Sequence, residues 1–175
     1  MSGETFEAML SGGHPNSLGR TIEVVEIVLA DQSRLEDLYN CYFSTDEVVR
    51  LRTSNAIKRV SREQPDWLVP YIDRFLDQIA IINQASTQWT LADLFKTLHP
   101  SMTAEQKAEA ALILKKNLET HYDWIVLNNT MQTLGEWSQE DDALRAWLLP
   151  QLGRLQLDQR KSVAKRAKKL SELLS

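Results

Sequence analysis

The chain has 175 residues, of which 43% are hydrophobic and 25% charged, the balance of a water-soluble globular protein. One cysteine, Cys41, excludes a disulfide framework, and no apolar run nears the ~20 residues of a membrane span. The net charge of −4 is unevenly spread: residues 154–175 carry +5 and residues 1–153 carry −9, which marks the C-terminal end as a candidate anion-facing surface.

In chain order, residues 1–17 read as a lead-in, with one apolar turn at Phe6, Met9 and Leu10 and a breaker run Ser11-Gly12-Gly13-His14-Pro15-Asn16-Ser17. Its acidic start has no apolar stretch of a signal peptide, so the expected compartment is cytoplasmic. From residue 18 onward almost everything predicts helix. Ile22, Val25, Val28 and Leu29 share a face over 18–30, and Leu35, Leu38, Tyr39 and Tyr42 do so over 33–43, with Ser33 as N-cap. Helix 46–62 carries Val49, Ala56, Ile57 and Val60. Helix 66–82 carries Leu68, Val69, Ile72, Phe75, Leu76, Ile79 and Ile82, with Pro70 near its start. Helix 87–98 follows. Thr103 with Gln106 forms a capping box for 104–119, and helices 123–137 and 140–156 come next. The last, 158–174, is capped by Asp158 and buries Val163, Ala167, Leu170 and Leu174. No segment alternates with period two. The class is all-α.

Candidate starts of alternate helices at Asp46, Ser86, Asp123 and Asp158 are spaced by 40, 37 and 35 residues, a helix-pair period typical of solenoids. The run Ser44-Thr45-Asp46-Glu47-Val48-Val49-Arg50-Leu51-Arg52 through Ala56-Ile57 resembles the turn aspartate, valine, arginine and alanine of a HEAT-repeat second helix. Trp67-Leu68-Val69-Pro70-Tyr71 and Trp147-Leu148-Leu149-Pro150 resemble its proline-bearing first helix, and Asp123-Trp124-Ile125-Val126 its second. The likeness spans 18–175, is specific at 44–72, and departs most at 86–98. It implies one HEAT-like (armadillo-like) domain over 18–175, a right-handed α-α superhelix of about four helix pairs, similar to small free-standing bacterial HEAT proteins. It also implies a binding scaffold and not an enzyme.

Residues that carry chemistry elsewhere are sparse. Cys41 has no neighbouring base in sequence and reads as a structural thiol. His14, His99 and His121 lack metal-ligand spacing, and Gly12-Gly13 lacks the lysine and preceding strand of a phosphate loop. No catalytic residue, metal ligand or cofactor is expected. Five tryptophans, Trp67, Trp89, Trp124, Trp137 and Trp147, suggest core packing; a DNA-glycosylase-like aromatic cleft is a remote alternative.

The expected function is a non-enzymatic scaffold that holds a protein or peptide in the concave groove. Polar second-helix residues Arg52, Asn55, Arg59, Asn129, Gln132 and Glu136 would line that groove. The alternative is nucleic-acid binding through the basic C-terminal helix, led by Arg160, Lys161, Lys165 and Lys168. That strip also suits a solvated terminal helix whose last-turn cations answer its dipole. Val49, Ile57, Leu94, Ile125 and Leu134 are expected in the core.

Overall fold

The structure, a computed structural model, describes residues 3–175. Among these residues the regular structure is entirely helical, with no strand. The chain divides into two compact units, residues 1–90 and 91–175, each with its own core.

In the first unit, the apolar turn expected of the lead-in is helix α1 (Phe6–Leu10), capped by Thr5 Oγ1, which accepts from Ala8 N. Phe6, Met9 and Leu10 are buried, and α1 packs on α2 (Thr21–Ala30) and α4 (Glu47–Glu63). Helix α2 starts three residues later than predicted. Its buried face is Thr21, Val24, Val25 and Val28, so Ile22 is exposed, not inward. Gly19, at φ +52°, lies outside the helical region, so the helix cannot begin at residue 18. Asp31, not Ser33, caps the next turn by accepting from Ser33 N. Helix α3 (Leu35–Asn40) then buries Leu35, Leu38 and Tyr39 against α4. Asp46 caps α4 through Val48 N as expected, and Val49, Ala56, Ile57 and Val60 are fully buried.

The predicted helix 66–82 is broken into four short pieces. They are α5 (Pro65–Leu68), a 3-10 turn Val69–Tyr71, α6 (Ile72–Arg74) and a π turn Phe75–Ile79 closed by Ala80 N donating to Phe75 O. Pro70 offers no N–H and its ring opposes the preceding turn, so the backbone tightens there and widens one turn later. The apolar phase survives: Leu68, Ile72, Phe75, Leu76 and Ile79 remain buried, while Ile82 is half-exposed. Tyr71 and Phe75 meet Tyr39 in an aromatic cluster, and Tyr39 Oη donates to Gln78 inside the π turn at 2.7 Å.

Helix α7 (Ala85–Leu98) begins in the first unit and ends in the second. The second unit continues with α8 (Ala104–Thr120), α9 (Trp124–Ser138), α10 (Asp142–Leu155) and α11 (Lys161–Leu174). The Thr103–Gln106 capping box closes in both directions, and Asp123 caps α9 through Ile125 N and Val126 N. Helix α9 is the central rod, packed on α8, α10 and α11. Leu134 lies at its centre with no exposed surface, whereas Ile125 is half-exposed, contrary to expectation. Gly135 lets Leu170 of α11 approach: a Cβ there would stand 3.0 Å from Leu170 Cδ2. Helix α10 runs through Pro150. No helix among the described residues is long and apolar enough to cross a membrane.

Candidate functional site

The second unit sets two of the expected polar groups side by side. Helices α9 and α11 are neighbours, and α11 turns Val163, Ala167, Leu170 and Leu174 inward as expected. Its stripe repeats every three to four residues, so every lysine falls on the solvent side. Lys161, Lys165, Lys168 and Lys169 are exposed. None of the four makes an ion pair among the described residues. Arg166 reaches across the seam: its Nη1 donates to Gln132 Oε1 at 2.8 Å, and Gln132 Nε2 donates to Glu136 Oε1 at 3.1 Å. Asn128 Nδ2 donates to Ser162 Oγ at 3.4 Å one turn away. Asn129 and Gln132 are half-exposed and Glu136 is exposed. A surface of amides edged by unneutralised cations results.

Arg160 does not belong to that surface. Its Nε and Nη2 donate to the Asp158 carboxylate at 2.9 and 2.8 Å, and its Nη1 donates to Tyr122 O. Asp158 also accepts from Arg160 N, so it closes the turn before α11 and does not cap the helix as predicted. These bonds from Arg160 hold the Asp158 carboxyl down at about 2. A guanidinium so paired has little charge to offer an anion.

The first-unit groove residues behave differently from expectation. Arg52 is 2% exposed and inaccessible to a partner. It sits on the inner face of α4, next to the buried Thr53 and Ala56, and its guanidinium donates to four backbone carbonyls: Leu10, Gly12, His14 and Ser17. Sequence reading assigned it to a solvated face because arginine is rarely buried; the partners that make burial possible lie 35–42 residues away in sequence. Asn55 and Arg59 are half-buried and bound to each other, Arg59 Nε donating to Asn55 Oδ1 at 2.6 Å.

Comparison of the chain with family models, with curated proteins and with solved structures finds no match. The site therefore rests on its own geometry.

A cavity of about 570 Å³ in the second unit is bordered by Lys96, Lys107, Ala108, Glu136 and Leu144, with His99 stacked on Trp137 at 4.5 Å. Burial, then Lys107, pushes the His99 imidazolium toward its neutral form. None of the five tryptophans is fully buried: Trp124 is exposed and the other four half-exposed, one of them, Trp147, beneath Lys115 Nζ at 5.1 Å. The four half-exposed indoles are thus mostly covered and lie at the edge of the core. Cys41 is buried, and burial raises its thiol to about 11, which suppresses the thiolate a nucleophile needs.

Proposed function

We propose that the chain is a non-enzymatic interaction module of the HEAT-like solenoid type, acting in the cytoplasm, and that it binds an acidic protein segment across α9 and α11. The carrying observation is the row of four unpaired lysines on α11 beside the half-exposed amides of Asn129 and Gln132. The lysines would draw an anionic strand and the amides would pair its backbone, a division of labour common at polar interfaces. Arg166 adds a fixed donor, since Gln132 already holds its guanidinium in place. The partner surface thus shrinks from the six expected groove residues to Asn129, Gln132 and Glu136 with the α11 cations. Arg52 drops out through burial, Arg160 through its pairing with Asp158, and Asn55 and Arg59 lie in the other unit.

One feature favours a protein segment over nucleic acid: the α11 strip has no aromatic side chain on which bases would stack. The test is fluorescence anisotropy with a labelled Glu-rich 15-residue peptide and with a 15-base-pair DNA duplex at 150 mM salt. The parent should bind the peptide, and the Lys161/Lys165/Lys168/Lys169→Ala variant should lose at least about tenfold in affinity. Equal peptide binding by the two proteins refutes the site. Tighter binding of the duplex, with a steep salt slope lost in the same variant, moves the function to nucleic acid.

A further inference from the structure

The cavity of about 570 Å³ in the second unit gathers charges of both signs that do not meet. Lys96, near the end of α7, and Lys107, on α8, border it from one corner. Glu136, near the end of α9, and Glu140 and Asp141, in the turn before α10, border it from the other. Among the described residues neither lysine makes an ion pair or a side-chain hydrogen bond. Both are half-buried; a lysine so placed packs its stem in the wall and keeps its ammonium on the wet side. No cation pairs with the three carboxylates either. Glu136 accepts from the neutral amide of Gln132, Asp141 accepts from Leu144 N, and Glu140 has no side-chain partner.

The sequence keeps the space between these charges open. Ala104, Ala108 and Ala111 follow at intervals of four and three, so they share the face of α8 that borders the cavity. Each contributes one methyl group, where a longer side chain would fill the space. The buried Leu144 adds apolar lining, and the stacked rings of His99 and Trp137, inclined by 26°, add a stiff aromatic one. After burial, the charge of Lys107 is what disfavours the His99 imidazolium, so the cationic side is the α7–α8 corner.

This lining selects its ligand. Two lysines stand against three carboxylates, which disfavours a phosphate or any other dianion. What fits is an anion at one end, a cation at the other and an apolar stem between. Arginine with a free carboxylate has that form, and its planar guanidinium binds carboxylates in a fork and lies flat on aromatic rings. In the free amino acid the α-ammonium stands beside the carboxylate and would face the lysines. At a peptide C-terminus that nitrogen is an uncharged amide.

We propose that this cavity binds the C-terminal arginine of a peptide, its carboxylate on Lys96 and Lys107 and its guanidinium on Glu136, Glu140 and Asp141. The site shares only Glu136 with the α9–α11 surface and does not depend on that reading. The test is a ¹H–¹⁵N NMR titration of the full chain with the tripeptide Gly-Gly-Arg at constant ionic strength. Saturable shifts of the Trp137 indole N–H and the Ala108 amide are expected, with a Kd of about 0.1–1 mM. The C-terminal amide of the tripeptide, and Gly-Gly-citrulline, which lacks the positive charge, should each bind about five- to tenfold more weakly. Lys96→Gln/Lys107→Gln should erase the preference for the free acid over its amide, and Glu140→Gln should weaken the tripeptide about threefold. Lys161/Lys165/Lys168/Lys169→Ala should leave tripeptide binding unchanged, which separates this site from the α11 surface. Absence of saturable shifts at Trp137 and Ala108 up to ~20 mM tripeptide, free arginine binding as tightly as the tripeptide, or full affinity in Lys96→Gln/Lys107→Gln would each overturn the proposal.

Discussion

Arg52→Lys is the sharpest test of the first unit's architecture. As an exposed groove residue, Arg52 would tolerate lysine with almost no change in stability. Enclosed as it is, it should not. The guanidinium spreads four donated bonds over Leu10, Gly12, His14 and Ser17. An ammonium is a single point with three donors, and from the shorter reach of lysine it meets at most two of those carbonyls. Hydrogen bonds from charged donors are worth about 1.5–3 kcal/mol each. Two lost bonds therefore set an upper range near 6 kcal/mol, but the Gly12, His14 and Ser17 carbonyls lie on an exposed loop and recover water. The Leu10 carbonyl, beside a fully buried side chain, does not. A net loss of about 2–4 kcal/mol follows. Differential scanning calorimetry should show the transition lowered by roughly 5–15 °C for a chain of this size, and hydrogen exchange should speed up at loop 11–19 and α1 first. A variant that unfolds within about 0.5 kcal/mol of the parent, the usual range of a surface substitution, would refute the buried clamp.

Two other expectations concern the second unit. Leu134→Ala, at the centre of α9 with no exposed surface, should cost about 2–5 kcal/mol in urea unfolding; a near-neutral result would mean the α8–α11 packing around it is wrong. Asp158 titrates low because Arg160 binds its charged form, so its contribution to stability is complete above the unfolded value near 4 and is lost as pH falls toward about 2. With Arg160 more than a third exposed, the stake is about 1–2 kcal/mol after screening. Asp158→Asn should remove that acid dependence and lower stability at pH 7 by the same amount, measured by denaturation at pH 2, 4 and 7.

The helix ends were legible wherever the signal was local. Asp46, Thr103 with Gln106, and Asp123 each satisfy N–H groups two or three residues away, and such short-range chemistry depends little on the rest of the fold. The inward stripe of α11 was legible for a similar reason, since Val163, Ala167, Leu170 and Leu174 repeat with the helix and leave the lysines outside. Asp158 shows where that reasoning stops: it had a cap's position, but Arg160 N and the Arg160 guanidinium took its oxygens.

Arg52 belongs wholly to the tertiary structure. Its neighbours on the same side of α4, Asn55 and Arg59, mark a polar stripe bonded along the helix, and no local pattern separates it from them. What decides its place is a loop that returns from residues 10–17 with its carbonyls turned inward. The sequence by itself determined an all-helical chain, its caps and the solvated lysines of α11, because those follow from hydrogen bonds and periodicity within a few residues. Only the tertiary structure decided which polar side chains are spent inside the protein, because desolvating a charge depends on partners the chain brings from far away.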